Sequence, residues 1–195
     1  MPKRAAKKTV NAGKAIDPAV RLRKALTKRT KTELIDVLME IAEEDRGVVR
    51  RLDARFELEA PPQELVVATR QAIADATDFD ERDINRNFHY DYEAYDAVKR
   101  NLTRLIQQGQ LRLAMELSLE LMRQGSRQVE MSDEGMMTED IEECLRVVIR
   151  SLKKCDIPAS ELHTWCGQML TSDRVGFICD RELRALQDRL KVSEA

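Results

Sequence analysis

Aromatic residues are scarce in this sequence: eight in 195, with a single tryptophan. Glycine and proline are equally sparse, at seven and five. A phosphate-cradling loop needs clustered glycines that let backbone amides approach an anion, and no two glycines cluster here. The four cysteines, Cys144, Cys155, Cys166 and Cys179, stand 11, 11 and 13 residues apart, so no pair makes a C-x-x-C or C-x-C metal hook. Cysteines set among Leu and Val behave as small buried hydrophobes, and reduced thiols in a cytoplasmic protein are expected. No uncharged apolar run approaches the ~18 residues of a membrane span. The N-terminus is charged and lacks an apolar h-region, so it does not read as a secretory signal. There is also no sustained alternating Val/Ile/Thr/Tyr run of the kind a sheet needs.

What the chain has in quantity is charge and helix formers. Charged residues make up 35% and apolar residues 43%, enough for a core that folds without metal or disulfide. The net charge of −2 is unevenly spread. Residues 1–31 carry eleven Lys and Arg against one acid, Asp17, a charge of +10; the remainder carries 22 against 34, or −12. A basic arm on an acidic body has three outlets: nucleic acid, an anionic membrane surface, or the body itself.

Apolar spacing and capping signals divide the chain into helices. Residues 1–17 read as a disordered basic tail and 18–195 as a single helical domain. Asp17-Pro18 opens a short first helix, and Thr30 with Glu33 forms a capping box for the next, whose apolar positions are Leu34, Ile35, Leu38, Ile41 and Ala42. Gly47 interrupts, and Val48, Val49, Leu52 and Phe56 follow. Pro61-Pro62 starts a helix through Leu65 and Ile73. Asp78–Phe88 reads as a polar connector. A helix from about Asp91 to Gln108 carries the stripe Tyr92, Tyr95, Val98, Leu102, Leu105, with Asp96, Lys99, Arg100, Thr103, Arg104 and Gln107 opposite. Gly109 suits a left-handed cap and forces a hairpin with the helix through Leu121. Gly125–Gly135 reads as a loop, Thr138 as the cap of a helix through Leu152, and two further helices follow around Trp165 and Leu186. The expected fold is all-α: antiparallel hairpins in an α-α superhelix or irregular bundle of seven to eight helices, TPR/HEAT-like. No fixed repeat period emerges, and the full signature of a tetratricopeptide unit is absent from 92–125.

Few residues invite chemistry. In Asn87–Tyr95, NFHYDYEAY, half of the aromatics meet one of two histidines. Tyr92 and Tyr95 read as the start of a buried face, and Phe88, His89 and Tyr90 as less constrained. A nucleobase-stacking platform wants Lys and Arg between its aromatics, and Asp91 and Glu93 stand there instead. His163 and Cys166, at i and i+3, could hold a metal or make a nucleophile pair, yet lack further ligands or an orienting group. Asp78, Asp80 and Asp83 begin like a calcium loop, but its sixth position is Asp83 rather than Gly and its twelfth is His89 rather than Glu. No enzyme, cofactor or metal is expected.

Three stretches carry a family resemblance: Thr30–Phe56 (TKTELIDVLMEIAEEDRGVVRRLDARF), a Leu/Ala-patterned helical pair; Tyr92–Met122 (YEAYDAVKRNLTRLIQQGQLRLAMELSLELM), a hairpin with glycine at its turn; and Leu162–Leu186 (LHTWCGQMLTSDRVGFICDRELRAL), a Trp-bearing helix, an Asp-and-Gly turn and another helix. Together they resemble the helical region that accompanies SWIM zinc-finger domains in bacterial proteins. The finger's C-x-C and C-x-H are absent, so no zinc-site residue carries over. The resemblance implies an all-α, repeat-like scaffold for protein contact. The expected function is therefore a non-enzymatic scaffold with a protein partner, its rim residues being His89, Tyr90, Tyr92, Arg100 and Arg104. The alternative is a nucleic-acid accessory protein using Lys3, Arg4, Lys7, Lys8, Arg21, Arg23 and Lys24.

Overall fold

The computed structural model describes residues 17–56, 59–87 and 89–193, which are helical with no strand among them. Lys3, Arg4, Lys7, Lys8 and Phe88 lie outside the described residues. Ten helices are present among the described residues, where the spacing predicts seven or eight. The chain divides into two compact units, between Arg46 and Gly47.

The first unit holds α1 (Pro18–Leu26) and α2 (Lys31–Glu44). Asp17 caps α1 by accepting from the Ala19 amide at 2.9 Å, with proline at the first helical turn. The predicted capping box at α2 is complete: the Glu33 amide donates to Thr30 Oγ1 at 3.2 Å, and the Thr30 amide donates to Glu33 Oε2 at 2.7 Å. The Thr30 amide, and then the Thr30 hydroxyl donating to the same Oε2 at 3.0 Å, hold the Glu33 carboxyl below its ordinary pKa. The apolar stripe of α2 is not covered: Leu34 is half-buried, while Ile35, Leu38 and Ile41 are exposed.

The second unit runs through α3 (Arg46–Phe56), α4 (Pro62–Thr77), α5 (Glu81–Asn87), α6 (Tyr92–Gln107), α7 (Leu111–Met131), α8 (Thr138–Leu152), α9 (Ala159–Ser172) and α10 (Asp180–Ser193). Helix α6 lies between α4 and α8, α7 packs on α4, α6, α8 and α9, and α10 packs on α9. Gly109 makes the α6–α7 turn at φ +75°, and the Gln110 amide donates to Leu105 O at 2.8 Å across it. One core runs from Leu65 and Ile73 through Val98, Leu102 and Leu121 to Leu145, Trp165 and Leu186.

Polar bonds inside that core fix its register. The Tyr95 hydroxyl donates to Gln128 Oε1, and Gln128 Nε2 donates to the Ala76 carbonyl at 2.9 Å, so one buried chain ties α6 to α7 and α4. Cys144 Sγ donates to the Tyr95 carbonyl at 3.3 Å, adding α8. Trp165 Nε1 donates to the Met115 carbonyl at 2.9 Å, joining α9 to α7.

The structure corrects the sequence reading in four places. The connector at 78–88 contains α5: Asp80 Oδ1 accepts from the Arg82 amide at 2.8 Å, and Ile84 is buried. Helix α7 does not stop before Gly125 but continues to Met131, because the polar run RQGSRQVEM buries Gly125, Ser126, Gln128 and Val129. Small residues there admit α8: a Cβ on Gly125 would lie 2.9 Å from Ile141 Cδ1. The cap of α8 is Met137, and Thr138 instead donates its hydroxyl to the Gly135 carbonyl at 2.6 Å. Tyr92 is 60% exposed, whereas Tyr95 is buried at 1%. The two tyrosines are three positions apart, and the buried arc of α6 ends between them.

The buried chain generates a stability prediction. Tyr95→Ala should cost about 3–5 kcal/mol, as for other large core truncations. Tyr95→Phe should cost about 1–3 kcal/mol, because the Gln128 acceptor loses its donor in a dry setting. Urea unfolding of both variants checks this; a Tyr95→Phe protein as stable as the parent would show that the hydroxyl is not needed there.

Candidate functional site

The stretch NFHYDYEAY divides by direction. Tyr95 turns into the core. Tyr90 is half-buried, packs edge-on to Tyr95 with ring centroids 6.2 Å apart, and donates its hydroxyl to Asp140 Oδ2 at 2.7 Å. Burial, then the bond to Asp140, pushes the Tyr90 phenol well above its ordinary pKa. Tyr90 is therefore a link from the entry of α6 to α8 rather than an open rim residue. His89 and Tyr92 are exposed. Tyr92 shares the outer stripe of α6 with Asp96, Lys99 or Arg100, Thr103 or Arg104, and Gln107, at the i, i+3/i+4 spacing that keeps residues on one face.

That outer stripe lines a groove whose other wall is α3. A hollow of about 720 Å³ is bounded by Asp53, Ala54, Asp96, Lys99, Arg100 and Arg104, among others. It adjoins a second, of about 560 Å³, along Glu59, Ala60, Pro61, Arg104, Gln107 and Gln108. Of the predicted rim residues, the structure brings Arg100 and Arg104 together here, places Tyr92 further along the same helix face, and turns Tyr90 away.

The cations of the groove differ in their commitments. Arg104 Nη1 donates to both oxygens of Asp53 at 3.2 Å. Lys99 donates to Glu143, which raises the Lys99 pKa and lowers that of Glu143. Arg100 is different: its Nε is buried and has no hydrogen-bond partner. A buried guanidinium N–H without an acceptor is costly, and Arg50 Nε is in the same position.

Helix α3, the second wall, buries no residue of its own. Charge holds it. Arg50 donates to Asp75 at 2.9 Å and to Asp91 at 2.6 Å, and the Arg50 side chain is only 16% exposed. Asp91 also caps α6 by accepting from the Ala94 amide at 2.9 Å. Arg51 and Glu93 add a looser pair at 3.4 Å. Sequence reasoning assigned nothing to Arg50 or Asp53; periodicity within α3 marks them as polar and exposed, and their partners lie 25 to 51 residues away.

The remaining candidates do not assemble. His163 is exposed while Cys166 is fully buried, so they share no site. Burial pushes the Cys166 thiol up to about 11 and the Cys144 and Cys179 thiols up to about 12, which disfavours the nucleophilic thiolate. Among the described residues no group of three or more His, Cys, Asp or Glu is arranged to hold a metal ion. No described helix is long and apolar enough to cross a membrane. Arg21, Arg23 and Lys24 all lie exposed on α1. No family model matches the chain, and comparison with curated proteins and with solved structures finds no significant similarity.

If charge alone fastens α3, Arg50→Ala should free it. Hydrogen exchange should then rise across residues 48–56 while the amides of α6, α7 and α8 keep their protection. Unchanged exchange in α3 would show that something other than Arg50 holds this wall.

Proposed function

We propose that this protein is a non-enzymatic, cytoplasmic helical scaffold that docks an acidic segment of a protein partner in the α3–α6 groove. The carrying observation is the buried, unpartnered Nε of Arg100 at a groove whose other cations, Lys99 and Arg104, already have carboxylate partners. A carboxylate from a partner pairs with the Arg100 guanidinium through a charge-assisted bond and takes its place beside Arg104. Tyr92, exposed on the same face, supplies apolar area at the end of the track. The packing of α4, α6 and α8 side by side, with α7 reaching α9 behind them, is what stacked hairpins produce. It supports a TPR/HEAT-like reading and accords with the resemblance to the helical regions that accompany SWIM fingers.

Peptides selected on the full chain from a random library should be enriched in Asp and Glu, and polyglutamate should compete with them. Arg100→Glu should lower their affinity at least tenfold, roughly the loss of one charge-assisted bond of about 1.5–3 kcal/mol. Selected peptides without acidic enrichment, or binding indifferent to Arg100→Glu, would remove this reading.

A second reading, contact with nucleic-acid phosphates through the basic arm, rests on the exposure of Arg21, Arg23 and Lys24 on α1. Fluorescence anisotropy with short duplex and single-stranded DNA and RNA separates the two. Phosphate binding falls steeply with salt and requires α1, whereas peptide docking requires Arg100.

A further inference from the structure

We propose that the chain forms a two-fold symmetric homodimer through the α1–α2 hairpin, α1 of one copy lying on the C-terminal half of α2 of the other. The hairpin carries an uncovered apolar face. Leu22 and Leu26 on α1 are 59% and 41% exposed; Ile35, Leu38 and Ile41 on α2 are 46%, 44% and 43% exposed. These residues recur at helical spacing, the pattern of a face built to be buried. Between the two helices, Leu22, Leu26 and Leu34 border a mostly apolar hollow of about 350 Å³, large enough to receive side chains from outside.

The charge pattern selects the occupant. Helix α1 carries Arg21, Arg23 and Lys24 and no acid. Lys28 and Arg29 extend the basic surface into the turn, and all five are exposed. The second half of α2 carries Glu40, Glu43 and Glu44, likewise exposed, and no basic residue, with Asp36 exposed just before it. A hairpin that is positive on one helix and negative on the other complements itself. A two-fold axis sets each basic helix against the other copy's acidic one, so every attraction occurs twice, as an isologous interface requires. The same rotation places the two apolar faces together. The basic face of α1 is then committed to a second copy rather than to phosphate. This inference is independent of the α3–α6 groove, which uses none of these residues.

The test exchanges charge between two versions of the full chain. One carries Arg21→Glu, Arg23→Glu and Lys24→Glu; the other carries Glu40→Lys, Glu43→Lys and Glu44→Lys, substitutions that suit the C-terminal end of a helix dipole. Light scattering on the natural chain should give twice the chain mass of 22.4 kDa. Each reversed chain alone should be monomeric, since both of its facing helices then carry the same sign. Their equimolar mixture should regain the doubled mass, because acidic α1 meets basic α2 and basic α1 meets acidic α2. Leu38→Asp, at an exposed position, should also be monomeric, with helix content retained by circular dichroism. A monomeric natural chain would mean that the hairpin covers its apolar face within its own chain, and the proposal fails. It fails equally if the reversed chains dimerise alone, if their mixture stays monomeric, or if Leu38→Asp remains a dimer.

Discussion

The hydrogen-bonded chain from Tyr95 through Gln128 to the Ala76 carbonyl sets the terms for the helical body. Its members are almost wholly shielded from water, so each donor and acceptor must find its partner inside the protein. That requirement admits one rotational setting of α6 against α7 and α4. Apolar contacts alone tolerate sliding by a fraction of a turn; a buried amide flanked by a phenol and a carbonyl does not. The Cys144 bond to the Tyr95 carbonyl brings α8 under the same constraint. Everything described on the outer face of α6 inherits its direction from this inner one. Because Tyr95 must point inward, Lys99, Arg100 and Arg104 emerge together on the side toward α3.

The two walls of the groove are therefore held by different physics. Helix α6 is set by dry packing, which responds little to salt or modest changes of pH. Helix α3 contributes nothing to the core and is fastened by guanidinium–carboxylate pairs, chiefly the two that Arg50 makes at low exposure. Salt screens such pairs strongly when exposed and much less when buried, and half-buried ones sit between the surface and interior limits. The result is a rigid wall facing a sprung one. A segment whose carboxylate pairs with Arg100 would lie beside Arg104, the guanidinium that Asp53 holds, so ligand and wall meet on the same chemical terms.

Much of this architecture was legible in the residues, and the failures have physical causes. The Thr30–Glu33 capping box, the proline starts and the Gly109 turn rest on local geometry, and they fall where the sequence places them; the cap expected at Thr138 does not. The outward direction of Arg100 and Arg104 was legible too, because it follows from periodicity along one helix. The end of α7 was not: RQGSRQVEM looks like a loop by composition, yet its glycine and serine are small for packing and its glutamine is polar for a buried bond. Helix α5 was missed because, among its described side chains, Ile84 alone is buried. Tyr92 continues an apolar stripe by spacing, but the stripe runs off the end of the packed surface before reaching it. The role of Arg50 has no signature at all, since both of its carboxylates come from distant helices. Nor does sequence spacing reveal that the stripe of α2 stays uncovered; amphipathicity states that a face wants burial, not what supplies it.

The close approach of α7 to α8 at Gly125 bears on which substitutions this fold accepts. Glycine inside a helix ordinarily costs about 1 kcal/mol relative to alanine, so exchanging it is a common route to a sturdier protein. Gly167 in α9 fits that pattern, because an added Cβ there would find only Gln187 Nε2, 4.0 Å away. Gly125 does not, because its added Cβ would press on Ile141, which has no solvent to retreat into. Two residues identical in type and in secondary structure thus have opposite tolerances. An accompanying loss of volume at position 141 would make room for a side chain at Gly125.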